Sequence, residues 1–301
     1  MWFFYNLKKL LLHPMARKKI TRKTRRKIHR KRKQHYLLRR WVLLFFLFLG
    51  LLGTGWYLKD KVAFYYALYF NRFEHKKLSN TAREEARITL ILGDNTDKIY
   101  GFDISHYQRK EDIAWDSLSI GNRTIPLKFV ILRATMGNRS ADKNFSHFWK
   151  EAKKHELIRG AYHFYRADED PVLQANNFLA AVQLESGDLP PVLDIEKIPK
   201  RKSRKKLIED LKIWCRIVEE AYGVKPIIYS YYYYHKDVLQ QEFDGYPLWL
   251  ANYNDVPAPT PSDSWDMWQF TENGIVYGIN TKVDLNMYNG GWWSLRQLTL
   301  D

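Results

Sequence analysis

Residues 189–196 read LPPVLDIE, a short apolar run that ends in two carboxylates, Asp194 and Glu196. Side chains alternate in direction along a strand, so Asp194 and Glu196 point one way and Ile195 the other. Two carboxylates side by side at the end of a buried strand repel each other. Repulsion and partial burial together raise at least one pKa. A protonated acid beside an ionised partner is the arrangement that cleaves a glycosidic bond. A lone Asp-x-Glu is also compatible with an acidic strand end that has no task, so its companions decide the reading.

Two further carboxylates accompany the pair. One stands in Gly101-Phe-Asp103-Ile-Ser105 and the other in Val283-Asp284-Leu-Asn286. Alone, either is as well explained by a loop cap or a turn. Aromatic residues recur at comparable positions: Tyr162, Phe164, Tyr229, Trp249, Tyr253 and Trp268. Each could serve core packing, and together they could form a wall on which sugar rings stack.

Short apolar runs at 99–105, 129–135, 160–166, 192–196, 226–232, 247–253, 267–271 and 283–288 predict strands. Helical periodicity fills 144–157, 172–185 and 203–222, and few clear helices fall between the later strands. The alternation predicts an α/β fold, an irregular (β/α) barrel of the TIM type, preceded by a single transmembrane helix. An open doubly wound sheet is the alternative, but no Gly-rich phosphate loop supports it. In such barrels the active site lies at the C-terminal ends of the strands. If the barrel closes, the first and eighth strands are neighbours, and Asp103 and Asp284 meet at one rim.

The net charge of +16 suggests a nucleic-acid binder until its distribution is read. Residues 1–59 carry 17 Lys and Arg and no carboxylate, and the remaining chain holds 32 Lys and Arg against 33 Asp and Glu. A near-neutral domain rich in Tyr and Trp suits a neutral stackable ligand better than a phosphate backbone, so no nucleic-acid partner is expected. The single cysteine, Cys215, lies within a predicted helix and excludes an intramolecular disulfide. No Cys/His cluster has zinc-site spacing, and neither a metal nor a cofactor is expected.

Residues 41–58 are uncharged, almost wholly apolar and bounded by Trp41 and Trp56-Tyr57. Their 18 residues suffice to span a bilayer's hydrocarbon core. The 14 Lys and Arg of residues 17–40 place that flank in the cytoplasm by the positive-inside rule and export the C-terminal domain. A cleaved signal peptide is the rival. The long basic region and the poor small-x-small site Gly53-Thr54-Gly55 favour an uncleaved anchor. Met15 is an alternative start. The expected organisation is a basic cytoplasmic segment at 1–40, a membrane helix at 41–58, a stalk at 59–98 (helical within 82–91) and a catalytic barrel at 99–301.

Eight motifs in order resemble glycoside hydrolase family 25, the Chalaropsis-type muramidases. They are GFDISxxQ at 101–108, FVIxRAT at 129–135, GAYHF at 160–164, PVLDIE at 191–196, IYS at 228–230, LWLAxY at 248–253, WQF at 268–270 and VDLN at 283–286. The resemblance implies hydrolysis of the β-1,4 bond between N-acetylmuramic acid and N-acetylglucosamine in peptidoglycan. It implies Glu196 as general acid, Asp194 as its partner beside the 2-acetamido group, and Asp103 and Asp284 as completing the carboxylate set. It also implies substrate contacts at Tyr162, Tyr229, Trp249, Tyr253 and Gln269. His106 and the tyrosines after Ser230 sit beside the motifs and could alter subsite preference. A non-catalytic glycan binder and a chitinase-like hexosaminidase are the rival readings.

Overall fold

The computed structural model describes residues 39–56, 81–239, 242–253 and 265–301 of the 301-residue chain, which divides into a unit of residues 1–63 and one of residues 64–301. The basic run 1–38 and residues 57–80 lie outside the described residues. In the first unit, helix α1 (Arg39–Trp56) is long and apolar enough to cross a membrane. Its large apolar side chains, from Trp41 to Trp56, are exposed.

Among the described residues, the second unit starts with helix α2 (Thr81–Asp94) and then builds a closed sheet. Its principal strands are β1 (Ile99–Ile104), β4 (Phe129–Met136), β6 (Ile158–Phe164), β7 (Val192–Asp194), β8 (Ile227–Tyr231), β9 (Leu248–Ala251), β10 (Met267–Gly274) and β11 (Val283–Tyr288). The small hairpin β2 (Ser119–Ile120) and β3 (Ile125–Pro126) stands apart, and β5 (Ser140–Ala141) folds back on β4. Around the barrel the order is β1-β11-β10-β9-β8-β7-β6-β4, and a parallel β4–β1 pairing closes the ring.

All eight apolar runs of the sequence therefore became barrel strands. The irregularity expected in the last part of the barrel takes a definite form: β11 runs antiparallel to both β1 and β10. This reversal matters for the site. In a wholly parallel barrel, a residue at the start of a strand lies at the N-terminal rim. Because β11 is reversed, Asp284 at its start pairs with Asp103 near the end of β1. The barrel also lacks a helix after every strand. Helices α3 (Phe145–Lys154), α4 (Pro171–Ala181) and α5 (Arg204–Tyr222) follow β5, β6 and β7, while β10 and β11 are joined without one.

The helices start and stop where local chemistry dictates. Asp170 accepts a hydrogen bond from the Leu173 N–H at 2.9 Å, and Pro171 opens α4 with its φ already helical. Ser203 caps α5 by accepting from the Lys206 N–H at 3.2 Å, and Gly223 ends it at φ 74°. Helix α6 (Trp292–Leu298) has no counterpart in the sequence reading, because seven residues are too few to show a helical period.

Period-two alternation separates two apolar layers. Outward residues such as Phe102, Leu132, Leu193, Ile228 and Leu285 join the helices in the larger core. Inward residues Phe129, Ile131, Val192, Ile227, Trp249 and Met267 fill the barrel, and Leu189 and Leu295 pack with them. Outward-facing His163 is fully buried, stacks on Trp214 and bonds Thr135 Oγ1 at 2.7 Å and Gln174 Oε1 at 3.2 Å. Burial pulls its pKa down to about 4, so it is a neutral packing group.

Gly101 is required by this interior. A Cβ there would stand 2.4 Å from the Phe129 ring. Gly101→Ala is expected to cost about 1–3 kcal/mol through overpacking. Denaturant unfolding checks this, and Phe129→Leu in the same background should recover part of the loss.

Candidate active site

The strand ends carry inward polar groups above the apolar filling. Asp103, at the top of β1, is buried, and its Oδ2 accepts two amide hydrogen bonds. One comes from Gln269 Nε2 on β10 and one from Asn286 Nδ2 on β11, each at 2.7 Å. Each amide is held in turn. Trp249 Nε1 donates to Asn286 Oδ1 at 2.9 Å, and Tyr229 OH donates to Gln269 Oε1 at 2.7 Å. Tyr253 OH donates to the same Gln269 oxygen. The amide orientations are thereby fixed: both NH₂ groups must face Asp103.

Burial raises the Asp103 carboxyl to about 6, against the pull of its two amide donors. Burial also holds Asp284 well above the carboxylate range, and Asp103 and Glu272 reinforce the effect. Asp103 and Asp284 share a hydrogen bond. The amides favour charge on Asp103, while burial and the Asp103 charge favour the protonated form of Asp284.

Asp194 ends β7, buried, and pairs across the sheet with Phe164 and Tyr229. Burial raises its pKa well above the usual range, followed by the charges of Glu196 and Asp103. Its Oδ1 is buried without a protein hydrogen bond. Glu196 lies two residues past the last residue of β7 and is half-buried. The chain stays extended there: Ile195 N–H donates to the Tyr229 carbonyl at 3.0 Å, and Ser230 Oγ donates to the Ile195 carbonyl at 2.7 Å. Ile195 joins the outer core, and the Glu196 charge acts on Asp194, Asp284, Tyr229, Tyr231 and Tyr253. Glu196 thus faces the same mouth.

Tyr162, Tyr229, Trp249 and Tyr253 line the interior beside these acids. Phe164 stands at the rim, half-buried and paired with Asp194. Burial and the neighbouring carboxylates keep the phenols of Tyr162, Tyr229 and Tyr253 protonated, so they act as donors. A cavity of about 240 Å³ opens at the rim between Asp103, Tyr107, Tyr162, Glu272, Lys282 and Asp284. Trp268 is not brought to this mouth. It points outward, buried in the outer core, and donates to the Asn252 carbonyl at 3.0 Å. The reason is parity: Gln269 faces in, so its neighbour must face out.

Two mouth residues, Asn286 and Glu272, were not singled out from the sequence. Asn286 stands two residues from Asp284 on the same strand face, and that spacing was the available signal. Tyr231, the first of the tyrosines noted after Ser230, faces inward next to Tyr253, with ring centroids 6.0 Å apart. Glu272 reaches the cavity through an irregularity in β10, which no pattern in the sequence announces. Among the described residues, no group of three or more His, Cys, Asp or Glu side chains is placed to hold a metal ion.

A closed barrel with buried, pKa-raised carboxylates and an aromatic lining at its C-terminal rim defines a glycoside hydrolase. The model of the family "Glycosyl hydrolases family 25" matches residues 102–279, and the chain belongs to that family. It is 36% identical over 193 residues to "Uncharacterized protein YegX" of Escherichia coli K12, covering 64% of this chain and 70% of that one. It is 29% identical over 212 residues to "Lysozyme M1" of Streptomyces globisporus, covering 65% and 69%. Its fold is similar to that of a family 25 glycosyl hydrolase from Bacillus anthracis, with a TM-score of 0.60, 28% identity, and coverage of 68% of this chain and 95% of the other. The protein is a glycoside hydrolase of the lysozyme (muramidase) class.

Proposed function

We propose that the mouth cleaves the β-1,4 bond between N-acetylmuramic acid and N-acetylglucosamine of peptidoglycan, with Glu196 as the proton donor. The observation that carries this reading is the gathering of Asp103, Asp194, Glu196 and Asp284 around one aromatic-lined rim. Glu196 is half-buried where Asp103 and Asp194 are buried, so it keeps the access that a group reaching a leaving oxygen requires. Asp194, buried and short of a partner, takes the 2-acetamido N–H on its Oδ1. That contact turns the acetamido oxygen toward the anomeric carbon as positive charge develops there. Asp103, held by Gln269 and Asn286, and Asp284 opposite it on β11 set the electrostatic field of the rim. Tyr162, Phe164, Tyr229, Trp249, Tyr253 and Gln269 shape the sugar-binding wall. A sugar contact from Trp268 is not part of the proposal, because its ring lies behind the barrel wall.

Helix α1, with its basic flank, anchors the protein in a membrane, with residues 1–40 cytoplasmic and the barrel outside. The role that follows is cell-wall catabolism or remodelling within reach of the anchor. Mass spectrometry of peptidoglycan digests is expected to show new reducing-end N-acetylmuramic acid. New reducing-end N-acetylglucosamine, or cleavage of chitin oligomers in preference, would overturn the bond assignment. Protease applied outside intact cells should remove the barrel and leave α1 with its basic flank. Complete protection would overturn the topology.

A further inference from the structure

Helix α2 precedes the family-matched residues and falls in the segment that reads as a stalk, yet it is packed on the barrel beside the site. Ile88, Ile91 and Leu92 join the outer core, and Arg87 and Glu84 reach β10. What they reach is the irregularity that re-aims Glu272. The β10–β11 register jumps from Gln269 opposite Asn286 to Thr271 opposite Leu285, so Phe270 has no partner on β11. A bulge of this kind leaves backbone groups out of the ladder and bends the strand. Arg87 Nη1 donates to the Phe270 carbonyl at 2.6 Å. Thr271 Oγ1 donates to Glu84 and accepts from the Asn273 N–H at 3.0 Å. Arg87 Nη2 also donates to the Asn252 carbonyl at 3.4 Å, beside Tyr253. The Asn252 N–H in turn donates to the Gln269 carbonyl at 3.1 Å.

We propose that α2 is a working strut of the active site: Arg87 and Glu84 hold the β10 bulge in the shape that keeps Gln269 on Asp103 and Glu272 at the mouth. The proposal deepens the hydrolase reading above and rests on it for its kinetic consequence. Arg87 and Glu84 touch neither substrate nor the reacting atoms and are positioning residues. Two connections run from them to the site. The bulge sets the pitch of Gln269, whose amide stabilises the Asp103 carboxylate. The Asn252 peptide sets Tyr253, which holds the Gln269 oxygen. The chain that leads from α1 therefore ends in an element that supports the catalytic carboxylates, and the functional domain begins at α2.

The test compares Arg87→Ala, Arg87→Lys and Glu84→Gln in the full-length chain, with Leu90→Ala on the exposed side of α2 as control. Two readouts are taken: kcat and KM against pH on soluble peptidoglycan fragments, and the unfolding midpoint against pH. Arg87→Ala is expected to lower kcat about 10-fold with KM nearly unchanged. The acid limb of the kcat profile should move to higher pH, because Asp103 loses a well-placed donor. Arg87→Lys should recover part of the loss, and Glu84→Gln should act in the same direction. The same upward move should show in the pH dependence of the unfolding midpoint, a readout that needs no turnover. An inactive wild-type protein would sink the hydrolase reading while this second readout still judges the strut. Equal kcat and an unmoved limb in folded Arg87→Ala would overturn the strut. So would a fall in kcat with the limb unmoved, or an equal effect of Leu90→Ala. If Arg87→Ala does not fold, an unmoved limb in Glu84→Gln overturns it.

Discussion

Glu196→Gln is expected to lower turnover on peptidoglycan by about 10³-fold while the fold stays intact. Positioned proton donors contribute roughly 10²–10⁴-fold, and the amide cannot donate to a leaving alkoxide. The substitution keeps the size and shape of a half-buried side chain and removes a charge that presses on Asp194 and Asp284. Stability should therefore change by no more than about 0.5 kcal/mol, or rise slightly. The loss should be smaller on an aryl glycoside whose leaving group needs no proton. Muropeptide release and thermal unfolding, measured on the same preparation, check both parts. Wild-type turnover in the folded variant would remove Glu196 from the donor role.

Asp194→Asn is expected to abolish cleavage and to make the protein more stable at neutral pH. Asp194 is buried, its Oδ1 has no protein partner, and Glu196 and Asp103 both oppose its charge. An uncompensated buried polar group costs about 1–3 kcal/mol, and an uncharged amide of the same shape relieves part of this. The pH dependence has a definite sign. A carboxyl whose folded pKa is raised binds more protons in the folded state than in the unfolded one. Its contribution is fully present below the unfolded pKa and is lost as pH rises through the folded value. For Asp103 the window runs from 3.8 to about 6, and the loss across it amounts to about 3 kcal/mol. For Asp194 and Asp284 it extends to higher pH. The wild-type unfolding temperature should therefore fall as pH rises through this range, and Asp194→Asn should flatten the curve and lift it above pH 7. A lower midpoint with an unchanged slope would show that Asp194 is not strained in the resting protein.

The strands were legible because each is a short apolar run bounded by turn residues, and a buried strand needs little else. Helix α5 was legible at both ends because Ser203 and Gly223 supply the cap and the stop locally. Asp103, Asp194, Tyr162 and Tyr229 were legible as site candidates because strand parity fixes which residues share a face. Parity also shows why Trp268 and Gln269, neighbours in one motif, part ways. The stretch read as a stalk contains α2, and its helical part was legible while its docking on the barrel was not. A helix with mixed polar and apolar residues looks alike whether it bridges two domains or docks on one, and the contacts of Arg87 and Glu84 with β10, with Ile88, Ile91 and Leu92 in the outer core, tell them apart.

The chain alone determined the inventory: four carboxylates at strand ends, an aromatic complement, a near-neutral domain and an apolar segment behind a basic run. Those properties reside in composition and short-range periodicity, which need no tertiary contact to exist. The tertiary structure decided the direction of β11, which carries Asp284 to the rim that Asp103 occupies, and the bulge in β10, which brings in Glu272. It also decided which carboxyls are buried beside one another and so have raised pKa values. Strand direction and register depend on partners far apart in sequence, and a pKa depends on burial and on charges that only folding brings together.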